Sequence, residues 1–150
     1  MTKPEFANLV ELILNYFESS SGEAARAGDP FERDEAEPLL LEFSGVVGVS
    51  GQRNGCIYYT SPSELLQELA ANLLGTEAAT RAAARDMAGE IANMIGGNAQ
   101  QYLGGDFVIS APIMLEGRPK NIRLPIYDPA YVIPIDWKSH RSYAVFGLRA

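Results

Sequence analysis

A chain of 150 residues, 47% of them hydrophobic, can bury one full core and matches the common size of a single domain. Its 19 acidic residues against 12 basic ones leave a net charge of −7, and no cluster of Lys or Arg forms the footprint of a nucleic-acid binder. No apolar run approaches the roughly twenty residues that span a bilayer, Met1-Thr2-Lys3-Pro4-Glu5 does not open a signal peptide, and the single Cys56 has no internal disulfide partner; together these fit a cytoplasmic domain.

Taken in chain order, Thr2 and Glu5 are spaced as a capping box. They open a helix from Thr2 to about Phe17, with Leu9, Leu12, Ile13, Tyr16 and Phe17 as its apolar stripe and Ser19-Ser20-Ser21-Gly22 as its end. The acidic, turn-rich segment from Gly28 to Glu37 reads as a mobile surface loop. Leu39 to Val49 reads as a strand in which Gly45 and Gly48 mark bulge or bend points. Arg53-Asn54-Gly55 supplies turn chemistry, and Cys56 to Thr60 is the returning strand, with Cys56 as a small core residue.

Ser61-Pro62-Ser63-Glu64 reads as a helix start, with Ser61 at the N-cap, Pro62 at the first helical position and Glu64 closing the box. That helix ends at Gly75, and another begins near Thr76 and runs through an Ala-rich stretch to about Leu103. Gly104-Gly105 breaks the chain, and strands are predicted near 106–115, 119–127, 131–137 and 142–149. The order α-β-β-α-α-β-β-β-β predicts an α+β fold, a largely antiparallel sheet with the helices packed on one face. Its edges leave strands able to pair with a second chain.

Most catalytic chemistries lack their parts. His140 is the only histidine, in the turn Lys138-Ser139-His140-Arg141, so no His-rich metal site can be assembled. No Gly-x-Ser-x-Gly elbow is present, and the glycines between 45 and 55 lack the Gly-Lys-Ser/Thr ending of a P-loop. Trp137 reads as a packing residue.

The informative segment is Asp86 to Asn98. At about 100° per residue, with Glu90 set at zero, Asp86 falls near −40°, Asn93 near −60° and Gly97 near −20°. Met87, Ile91, Met94 and Ile95 occupy an arc from roughly 40° to 140°. A carboxylate and a carboxamide three residues apart therefore point the same way and can enter a partner's cleft together. That outward arc carries none of the long Lys/Glu pairs common on helix surfaces, and Gly89, Gly96 and Gly97 suggest that another surface comes close. Asn98, near 80°, reads as a buried hydrogen-bonding residue. A solvated helix face is the plainer alternative for the same pattern.

Asp86-x-x-x-Glu90-x-x-Asn93 running into Gly97-Asn98-Ala99 resembles the CheX branch of the CheC/CheX/FliY chemotaxis phosphatases. Gly48-Val49-Ser50-Gly51 followed by Gly55-Cys56-Ile57-Tyr58-Tyr59-Thr60-Ser61-Pro62 looks like the hairpin that precedes a helix in that family. Ser110-Ala111-Pro112 resembles the proline-bearing strand after its signature helix, and Val132-Ile133-Pro134-Ile135 its late strand. The interval from Asn93 to Pro112 is shorter than the family pattern. Some relatives carry a second Glu-x-x-Asn on the first helix; here Glu11 is followed by Leu14 at that spacing and Asn15 comes one residue late, so one site is expected.

The resemblance implies a phosphatase that hydrolyses the aspartyl phosphate of a CheY-like response-regulator receiver. It implies that Asn93 orients the attacking water, that Glu90 pairs with the receiver's lysine, and that Asp86, Gly96 and Gly97 contribute to docking. No cofactor is expected on this chain, Mg2+ being expected in the partner receiver, and a homodimer through the sheet is implied. The alternative is a non-catalytic CheX-like module that binds a receiver or a second chain without turnover.

Overall fold

The computed structural model describes residues 3–34, 38–103, 105–120, 123–127 and 129–149. Among these described residues three helices and eight strands follow one another as α1 (Lys3–Ser21), β1 (Ala25–Ala27), β2 (Phe31–Arg33), β3 (Phe43–Gly51), β4 (Asn54–Ser61), α2 (Ser63–Leu74), α3 (Arg81–Tyr102), β5 (Phe107–Ile109), β6 (Ile113–Glu116), β7 (Ala130–Trp137) and β8 (His140–Arg149). The strands form one antiparallel sheet in the order β1-β7-β8-β4-β3-β5, with β2 also on β7 and β6 also on β3. The predicted α+β class and antiparallel sheet are what the chain adopts.

Strand alternation sorts side chains onto two faces. Phe43, Val47 and Val49 of β3, Ile57 and Tyr59 of β4, Phe146 of β8 and Ile133, Ile135 and Trp137 of β7 share one core with Leu9, Ile13 and Phe17 of α1, Leu65, Leu66 and Leu69 of α2, and Met87, Ile91 and Ile95 of α3. The helices thus cover one face of the sheet. The opposite face has a smaller core of Val46, Cys56, Tyr58, Val132 and Val145, covered by Leu40 and by half-buried Leu39, Leu124 and Ile126. Phe6 stacks on Tyr131 at 3.8 Å and fixes the start of α1 against β7.

Several sequence expectations are corrected. Within Gly28 to Glu37, β2 pairs with β7 through Phe31–Val132, Glu32–Tyr131 and Arg33–Ala130, so this part is an edge strand and not a loop; residues 35–37 lie outside the described residues. Residues 123–127 of the predicted 119–127 strand form no ladder, because Leu124 and Ile126 instead cover the second core. Residues 121 and 122 lie outside the described residues, as do Gly104 and the Thr2 end of the expected capping box.

Gly45 and Gly48 mark no bulge, since β3 and β4 pair without interruption from Phe43–Ser61 to Val49–Gly55. Helix α1 continues past Phe17 to Ser21, whose Oγ donates to the Phe17 carbonyl at 2.6 Å.

Helix α2 ends at Gly75 in the left-handed conformation, as expected, but it starts at Ser63 and not at Pro62. Ser61 belongs to the sheet, opposite Phe43, and its hydroxyl donates to the Pro62 carbonyl. The Glu42 carboxylate does the capping, accepting from Ser63 N at 3.2 Å and Ser63 Oγ at 2.9 Å. Helix α3 begins at Arg81 and not near Thr76, and the Thr80 hydroxyl caps it, accepting from Ala83 N at 3.1 Å.

Trp137 is fully buried, with Nε1 donating to Ser21 Oγ and the Glu23 carbonyl. Among the described residues no helix is long and apolar enough to cross a membrane.

Candidate functional site

The site is built on α3, which lies on the sheet because two backbones meet where β3 has no side chain. A β-carbon on Gly45 would lie 2.6 Å from the Ala88 carbonyl carbon and 2.8 Å from Gly89 Cα, so only glycine lets the helix come this close. Around α3, Ala84, Met87, Ala88, Ile91, Ala92, Ile95 and Ala99 are buried. Asp86, Glu90 and Asn93 are exposed on the other side, as the helical step predicts. The carboxylate and the carboxamide stand one turn apart on one face. Neither makes a hydrogen bond or ion pair among the described residues, so both can be offered outward.

The couple has a flank on each side. Toward α1 stands Tyr16, half-buried; burial and then the nearby Glu90 carboxylate push its phenol above its ordinary pKa, while a hydrogen bond with Ser20 opposes them. The anionic form is disfavoured by both the apolar surroundings and the like charge. Toward β6 lies Met114, whose side chain rests where a β-carbon of Gly89 would be: that carbon would sit 2.6 Å from Met114 Sδ. The sequence placed Tyr16 in an apolar stripe and gave no signal for Met114, since its position follows from the pairing of β6 with β3.

The other predicted residues divide. Asp86 is 66% exposed, with only the neighbouring Arg85 Nε at 3.9 Å, a loose surface pair of little energetic weight. Gly97 faces open space: nothing lies within 4 Å of where its β-carbon would be.

Gly96 does not lie on the exposed arc. It is buried against Val47 Cγ2 and Ile109 Cδ1, 2.8 and 3.3 Å from a β-carbon position, because the β3–β5 edge wraps around that side of the helix. Gly89 is buried in the same way, so both glycines serve the packing of α3 on its own sheet. Asn98 is half-buried, and its Nδ2 donates to the Met94 carbonyl at 2.7 Å. On α1, Glu11 and Asn15 are exposed at a spacing of four, and the position three residues after Glu11 is held by Leu14. Among the described residues no group of three His, Cys, Asp or Glu side chains is placed to hold a metal ion.

The chain is thus an antiparallel sheet covered on one face by helices, with the exposed Glu90 and Asn93 on the outer side of α3. The family model described as chemotaxis phosphatase CheX matches residues 43–136, and the chain belongs to that family.

Solved structures share the fold. A CheC-like superfamily protein from Shewanella sp. PV-4 is 21% identical, with all of both chains covered and a TM-score of 0.81. The chemotaxis protein CheX from Desulfovibrio desulfuricans is 23% identical, with 97% of this chain and 99% of that one covered and a TM-score of 0.80. The CheX of a CheX–CheY–BeF3–Mg2+ complex from Borrelia burgdorferi is 19% identical over 97% of this chain and 96% of that one, with a TM-score of 0.74. No curated protein sequence matches the chain significantly.

Proposed function

We propose that this protein hydrolyses the aspartyl phosphate of a CheY-like response-regulator receiver. The observation that carries the reading is the Glu90–Asn93 couple, exposed and unpaired on α3 in a chain of the CheX family. An aspartyl phosphate in a receiver sits beside a divalent cation and a lysine, and its hydrolysis lacks a water held in line with the leaving carboxylate. The Asn93 carboxamide supplies that by accepting from the water while its NH2 donates elsewhere, which is catalysis by positioning. Glu90 pairs with the receiver's lysine and fixes the register of docking. Asp86 adds a polar contact at the rim, and Gly97 lets the receiver's loops approach the helix. The Mg2+ belongs to the receiver in this reading, which a CheX–CheY–BeF3–Mg2+ complex from Borrelia supports.

The same reading includes a homodimer formed through the sheet. Among the described residues, β5 and β6 pair on one side only, with β3, which leaves an edge able to accept a second chain.

The test is to add the protein to a phosphorylated receiver with magnesium and follow loss of the phosphoryl group. Faster decay than the receiver shows alone supports the proposal. Tight binding with an unchanged lifetime establishes a non-catalytic binding module instead. Glu90→Lys reverses the docking charge, so KM rises while kcat changes little.

A further inference from the structure

We infer that Met114 is a recognition residue of the α3 face, its thioether forming an apolar shoulder against which the receiver packs when Asn93 enters the phosphorylated pocket. The inference rests on the reading given under Proposed function and names a contact that reading does not contain.

Gly89 lies three residues after Asp86 and four before Asn93, so the three share one ridge of the helix. A side chain at position 89 would stand between the two polar groups. Glycine leaves that space to Met114: a β-carbon there would lie 2.6 Å from its Sδ, 3.1 Å from its Cγ and 3.7 Å from Pro112 Cβ. The register sets this up, because Met114 pairs with Gly45, the residue over which α3 crosses the sheet. Two glycines on different elements thus seat one flexible apolar side chain beside the acid–amide couple.

Although seated, Met114 remains 36% exposed. Single exposed apolar side chains are ordinary on a protein surface. One lying against the ridge that carries Asp86 and the unpaired Asn93 amide has the anatomy of an interface: an apolar element beside the polar groups that set register. Methionine suits it, because an unbranched, polarizable chain adjusts to a partner's contour. The occupant is the receiver, because the Met114 side chain lies on the α3 side of the sheet against the Asp86–Asn93 ridge, whereas a second chain would pair with the backbone edge of β5 and β6. Ile113, the next residue, points to the opposite face of the sheet.

The experiment measures steady-state turnover of a phosphorylated receiver by the parent protein and by Met114→Gln, Met114→Leu and Gly89→Ala. Glutamine keeps the length and removes the apolar character, so KM rises roughly tenfold at unchanged kcat. Leucine restores the parent KM. Gly89→Ala keeps methionine in the chain but pushes it from its seat, and raises KM as Met114→Gln does.

An unchanged KM in Met114→Gln overturns the inference while Asn93 keeps its role, and so does a fall in kcat at constant KM. A shift from dimer to monomer on light scattering, without a change in KM, assigns Met114 to a second copy and also overturns it. A parent protein that leaves the receiver's phosphoryl lifetime unchanged removes the functional reading and the shoulder together.

Discussion

Gly45 of β3 lies directly beneath Ala88 of α3, so close that a β-carbon would be 2.6 Å from the Ala88 carbonyl carbon. The obstruction is helix backbone, which cannot rotate away as a side chain can. Gly45→Ala therefore lifts the middle of α3, where Glu90 begins, and overpacking of this kind costs about 1–3 kcal/mol. The expected result is a lower urea midpoint with an unchanged slope. An equal midpoint would show that the helix has room to move.

Glu42 caps α2 from twenty-one positions away in sequence, taking both the Ser63 amide and hydroxyl. Glu42→Ala leaves the first turn of α2 without its acceptor, a loss of about 1 kcal/mol by analogy with local N-caps. Equilibrium unfolding of the variant measures it. A change within error would mean that water replaces the carboxylate without loss.

Arg141 grips Asp136 across the β7–β8 ladder, Nε and Nη2 donating to the two carboxylate oxygens at 2.7 and 2.8 Å. The hydrogen bonds from Arg141 hold the Asp136 carboxyl below its ordinary pKa; partial burial opposes them, and the charges of Arg141 and Arg26 add to them. A depressed carboxylate stabilises the folded state above its ordinary pKa, near 4, and that contribution is lost as pH falls through the folded value. The Tm difference between the parent and Asp136→Asn should therefore shrink as pH drops from about 5 to about 2. A gap constant over that range would assign the effect to hydrogen-bond geometry and not to charge.

Where local chemistry decides structure, the chain could be read directly. Gly75 ends α2 because its left-handed conformation suits glycine, and the hairpin after Gly48 carries its own turn residues. Glu90 and Asn93 fall outward because helical geometry alone places them opposite Met87, Ile91 and Ile95. What escaped was set by distant partners.

Phe31 to Arg33 lacks an alternating pattern long enough to announce a strand, and becomes one only because β7 offers an edge. Leu124 and Ile126 do alternate, but in order to cover a sheet and not to join it. Gly89 and Gly96 sit at the border of the exposed arc, and whether they face solvent depends on the β5–β6 edge wrapped beside them. The same edge makes Met114 part of the site surface, which no pattern within α3 could disclose.

The central claim is that the Asn93 carboxamide positions the hydrolytic water, and Asn93→Ala tests it most directly. The side chain is exposed and makes no hydrogen bond among the described residues, so its removal should leave folding and binding of a beryllofluoride-activated receiver intact. The measurement is kcat for phosphoryl loss from a saturating receiver. The account predicts a fall on the order of 10²-fold or more with binding preserved. An Asn93→Ala protein that turns over its receiver as fast as the parent would contradict it.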